Sequence, residues 1–282
     1  MSEVIGNVLQ SRKRQPLAEM VNESIEEHEL RLKSLLQRNQ AEREDPLDHH
    51  SIRASLRARM ADWMIEIVAS FNLKHRTYFL AVNLLDIFLK ETQKEYSNSE
   101  LHLIGVTCMV ISSKFNDSRY LTIQMAERHI SNGELTQNSI VSMEKEIFVL
   151  INRHVGMVTV YDLIRVLCDK YNVVSEVKRT SITILYLLQM YYDAIGLSIA
   201  DQAFAAFILS LQTLNQRTVI DEVKSRGDCQ VEIKHIESAL NAVLRYKGCF
   251  PSFTNPTRFL DFEFTRPEDT QLFVLKPSQR FK

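Results

Sequence analysis

From Leu47 to Phe250 the chain sets apolar residues at steps of three and four among polar ones, and no proline interrupts the pattern. All six prolines (Pro16, Pro46, Pro251, Pro256, Pro267 and Pro277) lie outside that stretch. Proline removes a backbone donor and clashes with the preceding turn, so its absence permits helix. Leu, Ile, Ala, Met, Glu and Lys dominate, and the stretch reads as helix after helix. Ile52–Phe71 places Leu56, Met60, Trp63, Ile67 and Phe71 on one stripe. Arg76–Lys90 is apolar on nearly every side, as a central helix enclosed by others should be. Ser99–Phe115, a short helix over Thr122–His129, and Thr136–Ile151 complete a first unit. In the last of these, Ile140, Met143, Ile147, Leu150 and Ile151 share one side.

A second unit repeats the rhythm: Val160–Tyr171, Val177–Ala194, Ser198–Thr213, Val219–Arg226 and Val231–Tyr246. Its second helix is again the most apolar. Two sets of five helices, offset by about 100 residues, read as a duplicated module. The fold class expected is all-α, with an organisation in five parts. Residues 1–21 form a polar, disordered tail, and 22–50 a surface helix. That helix runs over Asn22–Glu44, with Asn22 as cap and Leu30, Leu32, Leu35 and Leu36 as a partial apolar stripe. Residues 51–155 and 156–250 are the two helical units. Residues 251–282 are an irregular tail whose Phe259, Phe262, Phe264 and Phe273 pack back onto the body.

Composition narrows the function classes. Hydrophobic residues make up 45% of 282, enough for one large core or two smaller ones. Lys and Arg number 34 against 35 Asp and Glu, a net charge of -1, so the basic excess of a duplex-binding domain is missing and no nucleic-acid partner is expected. Cys108, Cys168, Cys229 and Cys249 are far apart, without a CxxC pair or a nearby Cys/His ligand set. They read as reduced thiols of a nuclear or cytoplasmic protein, and no metal or other cofactor is expected. No apolar run reaches the ~18 residues of a membrane span, and the N-terminus lacks the charged-then-apolar order of a signal peptide. His49, His50, His75, His102, His129, His154 and His235 are scattered, and no HExxH, GxSxG or GxxxxGK pattern occurs, so an enzyme is not expected.

Five residues draw attention by their chemistry. An aspartate inside a helix as apolar as Arg76–Lys90 is costly unless paired. Asp86 therefore finds its natural partner in Arg57 on the preceding helix, guanidinium meeting carboxylate through two parallel hydrogen bonds. The alternative is a solvated Arg beside a capped Asp. Trp63, the only tryptophan, suits a core or an exposed groove equally. Lys114 and Glu144, read alone, are solvated charges near helix ends.

Leu56–Val68 (LRARMADWMIEIV) resembles the opening of the cyclin box, M-R-x-x-L-x-D-W-L-x-E-V, with Leu56, Arg57, Met60, Asp62, Trp63, Met64, Glu66 and Ile67 at the patterned places. Ala81–Leu89 (AVNLLDIFL) is similar to AVNYxDRFL. Leu101–Phe115 (LHLIGVTCMVISSKF) is similar to LQLVGxxxxxxASKF, and Met143–Ile147 (MEKEI) to MExxIL. Four motifs in order over about 100 residues make a specific signal; in the second unit the likeness rests on helix rhythm. The resemblance implies a tandem cyclin fold and a regulatory subunit that binds and activates a cyclin-dependent protein kinase without supplying a catalytic group. It implies a role in cell-cycle progression, of the mitotic A/B type. Lys114, Phe115 and Glu144 are then the kinase-binding core, and Arg57 with Asp86 the structural ion pair.

The resemblance implies two further sites. Many cyclins dock Arg-x-Leu peptides on a patch whose positions fall here on Leu56, Arg59, Met60, Trp63, Glu66 and His102. Arg59 stands where an aliphatic residue is usual, and His102 where Gln is frequent. A cation there repels the arginine of the peptide, so docking is absent or altered in specificity. Arg14–Asn22 (RQPLAEMVN) resembles a destruction box, with Arg14, Leu17 and Asn22 on the fixed positions, which implies recognition by a ubiquitin ligase. Asn116-Asp117-Ser118-Arg119 replaces the two acids and two prolines common after SKF, marking a divergent member. The rival readings are a transcription factor built on the same tandem fold, which calls for a basic stripe, and a cyclin serving transcription.

Overall fold

The computed structural model describes residues 45–131, 133–226, 234–239, 241–242, 262–265 and 274–277. The expected surface helix over Asn22–Glu44 and the Arg14–Asn22 motif lie outside the described residues.

The enclosed helix anticipated around Asp86 is α2, His75–Glu91, fully buried from Thr77 to Asp86. Around it stand α1 (Ala54–Ser70), α3 (Leu101–Asn116) and α5 (Gln137–Leu150). The short fourth helix is α4 (Ile123–Met125), which runs on into a wider turn of π type over Ala126–Ile130. The start of α5 is set by a reciprocal cap: Thr136 Oγ1 accepts from Ser139 N–H and Ser139 Oγ accepts from Thr136 N–H, both at 3.1 Å. One contact fixes how near α1 lies to α3. A Cβ on Gly105 would overlap the Met60 side chain, so any larger residue there requires Met60 to shift.

The second unit consists of α6 (Val160–Lys170), α7 (Ser175–Met190), α8 (Ile199–Thr213) and α9 (Arg217–Arg226). Residues 234–239 are also helical. Here α7 takes the central place, buried from Ser181 to Met190 against α6 and α8. The units share one apolar cluster, joined where α2 meets α6 and α1 meets α7.

The duplication is visible in the turns. Helix α1 is closed by Phe71 as C-cap and α6 by Tyr171, and each cap is followed by a left-handed asparagine, Asn72 (φ 51°) and Asn172 (φ 43°). In both turns the next N–H folds back: Leu73 N–H donates to Val68 O at 2.9 Å, and Val173 N–H to Cys168 O at 3.2 Å. These are matching Schellman closures, and asparagine tolerates the left-handed region that most side chains avoid. The two turns stand 100 residues apart (172 − 72), the period read from the sequence.

Two expectations need correction. The helix expected over Val177–Ala194 ends at Met190, where Tyr191 turns extended and the chain continues as a 3-10 turn over Tyr192–Ala194. In the tail expected to be irregular, β1 (Phe262–Thr265) pairs antiparallel with β2 (Val274–Pro277), Phe262 opposite Pro277.

Candidate functional site

Arg57 on α1 is 1% exposed and Asp86 on α2 is 5% exposed. Arg57 Nε donates to Asp86 Oδ1 at 2.9 Å and Nη2 to Oδ2 at 2.7 Å, the bidentate fork that guanidinium geometry favours. Burial opposes the positive charge, the adjacent carboxylate outweighs it, and the guanidinium is held charged above its ordinary value. The remaining nitrogen, Nη1, donates to the backbone carbonyl of Gln189 at the end of α7. A terminal helix carbonyl has no partner within its own helix, so this arginine caps the second unit while it ties α1 to α2. Gln189 Nε2 in turn donates to Gln202 Oε1 on α8 at 2.8 Å, and Gln202 Nε2 to Leu197 O at 3.0 Å.

Lys114 and Glu144 meet on the surface. Lys114 Nζ in the last turn of α3 donates to Glu144 Oε1 on α5 at 2.7 Å, with side chains 34% and 15% exposed. Next to Lys114, Phe115 stands 52% exposed. The three residues predicted to face a kinase thus share one corner, where α3 ends beside α5.

Phe115 is not free-standing. The Arg76 guanidinium lies 5.9 Å from its ring centre, and a Cβ on Gly156 would meet its Cζ at 3.4 Å. Arg76, in the first turn of α2, also donates Nε to Asp162 Oδ1 on α6 at 2.8 Å, Nη2 to Met157 O at 3.1 Å, and Nη1 to Asn116 Oδ1. Asp162 closes the α6 cap as well, accepting at Oδ2 from Thr159 N–H at 3.0 Å and Thr159 Oγ1 at 2.9 Å. Sequence reading passed over Arg76, Asp162 and Gly156. The one signal present was Thr159-x-x-Asp162, a capping pattern at the head of a helix.

The positions of the peptide-docking patch divide. Met60 is buried against Gly105. Leu56, Trp63, Glu66 and His102 are half-buried, and Arg59 is exposed. Trp63 meets His102 edge-on, ring centres 5.3 Å apart. Trp63 is therefore rim rather than core, with an exposed cation on the same helix.

Asp117 stands two residues after Phe115, just beyond the end of α3. It accepts from Lys74 N–H at 3.0 Å and from Thr77 Oγ1, binding the end of α3 to the start of α2. Cys108 and Cys168 are buried free thiols. Among the described residues no group of three or more His, Cys, Asp or Glu is placed to hold a metal. No described helix is long and apolar enough to cross a membrane.

Two helical repeats with equivalent turns, locked by a buried arginine-aspartate fork, define a tandem helical-repeat protein with a charged and aromatic corner at one edge. Residues 23–156 match the family of the cyclin N-terminal domain. The chain is 25% identical over 215 residues to mouse G2/mitotic-specific cyclin-B3, covering 74% of this chain and 15% of that one. It is 27% identical over 203 residues to G2/mitotic-specific cyclin-B3 of Drosophila melanogaster, covering 68% and 34%. Against Cyclin-A1-2 of Arabidopsis thaliana it is 31% identical over 99 residues, covering 34% and 21%. It spans less than half the length of each of these curated relatives. A viral cyclin from herpesvirus saimiri shares the fold at a TM-score of 0.61 and 17% identity, covering 78% of this chain and 96% of that one. Residues 23–156 thus carry a cyclin N-terminal domain, and the chain is similar to cyclins of the B and A types.

Proposed function

We propose that this chain is a non-catalytic regulatory subunit that binds and activates a cyclin-dependent protein kinase in the nucleus and cytoplasm. The observation that carries the reading is the corner where Lys114 pairs with Glu144 beside the exposed Phe115. The pair leaves capacity unused: an ammonium has three donors and a carboxylate about four acceptor sites. Lys114 and Glu144 are thus ready to bind backbone carbonyls and N–H groups of a partner while Phe115 adds apolar contact. A protein kinase needs an ion pair between a strand lysine and a glutamate of its regulatory helix, together with an ordered activation loop. A rigid partner that binds only that arrangement shifts the kinase toward it by its differential affinity. An interface of over ~1,000 Å² is required for a stable complex.

Similarity to the G2/mitotic-specific cyclin-B3 proteins supports a mitotic role. Arg14, Leu17 and Asn22 are proposed to present the chain to a ubiquitin ligase. The patch around Arg59 is proposed to have lost or changed its preference for Arg-x-Leu peptides. The test is co-expression with a panel of cyclin-dependent kinases, capture on the tagged chain, and assay of histone phosphorylation, with Lys114→Ala/Glu144→Ala in parallel. Kinase captured and activated by the wild type and lost with the double variant is the expected result. A folded wild-type chain that captures no kinase sinks the proposal and favours the transcription-factor reading.

A further inference from the structure

Resting on that reading, we infer that Arg76 is a positioning residue for kinase binding, holding Phe115 and fixing the angle between the two repeats at the binding corner. Its side chain is 23% exposed and joins the four pieces that meet there. It sits on α2. It reaches Asn116 at the end of α3, the Met157 carbonyl in the connection between repeats, and the Asp162 carboxylate at the head of α6. The Phe115 ring lies on its fourth side, with Gly156 behind.

The geometry is specific to a planar fork. Nε and both Nη nitrogens serve three acceptors in different directions, and the cationic plane stays within cation–π reach of the ring. A lysine has neither the reach to three acceptors in one plane nor the flat face. Asp162 is held in turn by the Thr159 cap, so the anchor on the second repeat is itself rigid. An exposed aromatic on a helix end would otherwise sample several rotamers, and ordering it would cost affinity on binding. Arg76 removes that cost in advance and transmits the orientation of α6 to the corner.

The role is tested by a double-mutant cycle on the kinase that the wild-type chain captures from the panel. Arg76→Gln is expected to weaken binding about tenfold, within the coupling seen between touching side chains. Arg76→Lys should fail to rescue. Asp162→Asn, which keeps an oxygen for the Thr159 cap, should weaken binding in the same direction by less. In a Phe115→Ala background the Arg76→Gln loss should fall to about twofold, because its effect passes through the ring. A purely structural arginine would lower thermal stability but leave the two losses multiplicative. Binding of Arg76→Gln equal to wild type, or losses that multiply, overturns the inference while leaving the proposed function intact. A wild-type chain that captures no kinase overturns both.

Discussion

Arg57 holds Asp86 through two parallel hydrogen bonds and spends its third nitrogen on the Gln189 carbonyl, 132 residues further along the chain. The pair that sets α1 against α2 therefore also fastens the second repeat to the first. Removing either partner leaves a buried charge without its counter-ion. Arg57→Ala and Asp86→Ala should each lower unfolding free energy by about 3–5 kcal/mol in denaturant titrations. Arg57→Lys should recover little of it, because an ammonium lacks the fork.

Lys114 and Glu144 behave differently, because water screens them. An exposed pair contributes about 0–1 kcal/mol. Lys114→Ala/Glu144→Ala should unfold within that margin of the wild type while losing kinase capture. A large loss of stability would make the pair a structural clamp instead.

Much of this was legible in the sequence, and the reasons are specific. The helices of both units followed from apolar spacing and the absence of proline, and the 100-residue offset reappears in the Asn72 and Asn172 turns. The meeting of Arg57 with Asp86 follows from the cost of a carboxylate inside α2. Gln189 was invisible, because a backbone carbonyl has no residue-type signature. Arg76 was missed for a related reason: Asp162 lies 86 residues away in the other repeat, and no local periodicity links them. The early end of α7 escaped notice because the apolar run continues through Tyr191 and Tyr192 after the backbone has left the helix.

Buried acids predict an alkaline limit. Desolvation raises the Tyr78 and Tyr186 hydroxyls and the Cys108 thiol above their ordinary values, and pushes the Cys168 thiol up to about 12. Unfolded thiols titrate near ~8.5 and tyrosines near ~10. Each folded pKa is the higher one, so the contribution is fully present below the unfolded value and is lost as pH rises. Unfolding free energy should fall from about pH 9 upward, by roughly 1.4 kcal/mol per pH unit for each group that ionises only on unfolding. Denaturant midpoints followed beside tyrosinate absorbance check this, and constant stability into strong alkali contradicts it.

Gly105 gives a packing test. Gly105→Ala pushes a methyl group into Met60, and overpacking of this kind should cost about 1–3 kcal/mol. Met60→Ala opens room at the same point, so Met60→Ala/Gly105→Ala should be less destabilised than the sum of the two single changes. Thermal unfolding of the three variants reads the sign directly.

The most direct measurement exchanges the two charges. Lys114→Glu/Glu144→Lys keeps an ion pair between α3 and α5 but presents an acceptor where the partner meets a donor, and a donor where it meets an acceptor. Titration of this variant and of the wild type against the captured kinase, with unfolding curves to confirm an unchanged fold, isolates recognition from stability. The account predicts a folded protein whose affinity drops about a hundredfold or more, in the range for misplaced charges at buried hydrogen-bonded positions. Wild-type affinity in the exchanged variant would show that the corner is held for the fold alone and that the kinase binds elsewhere.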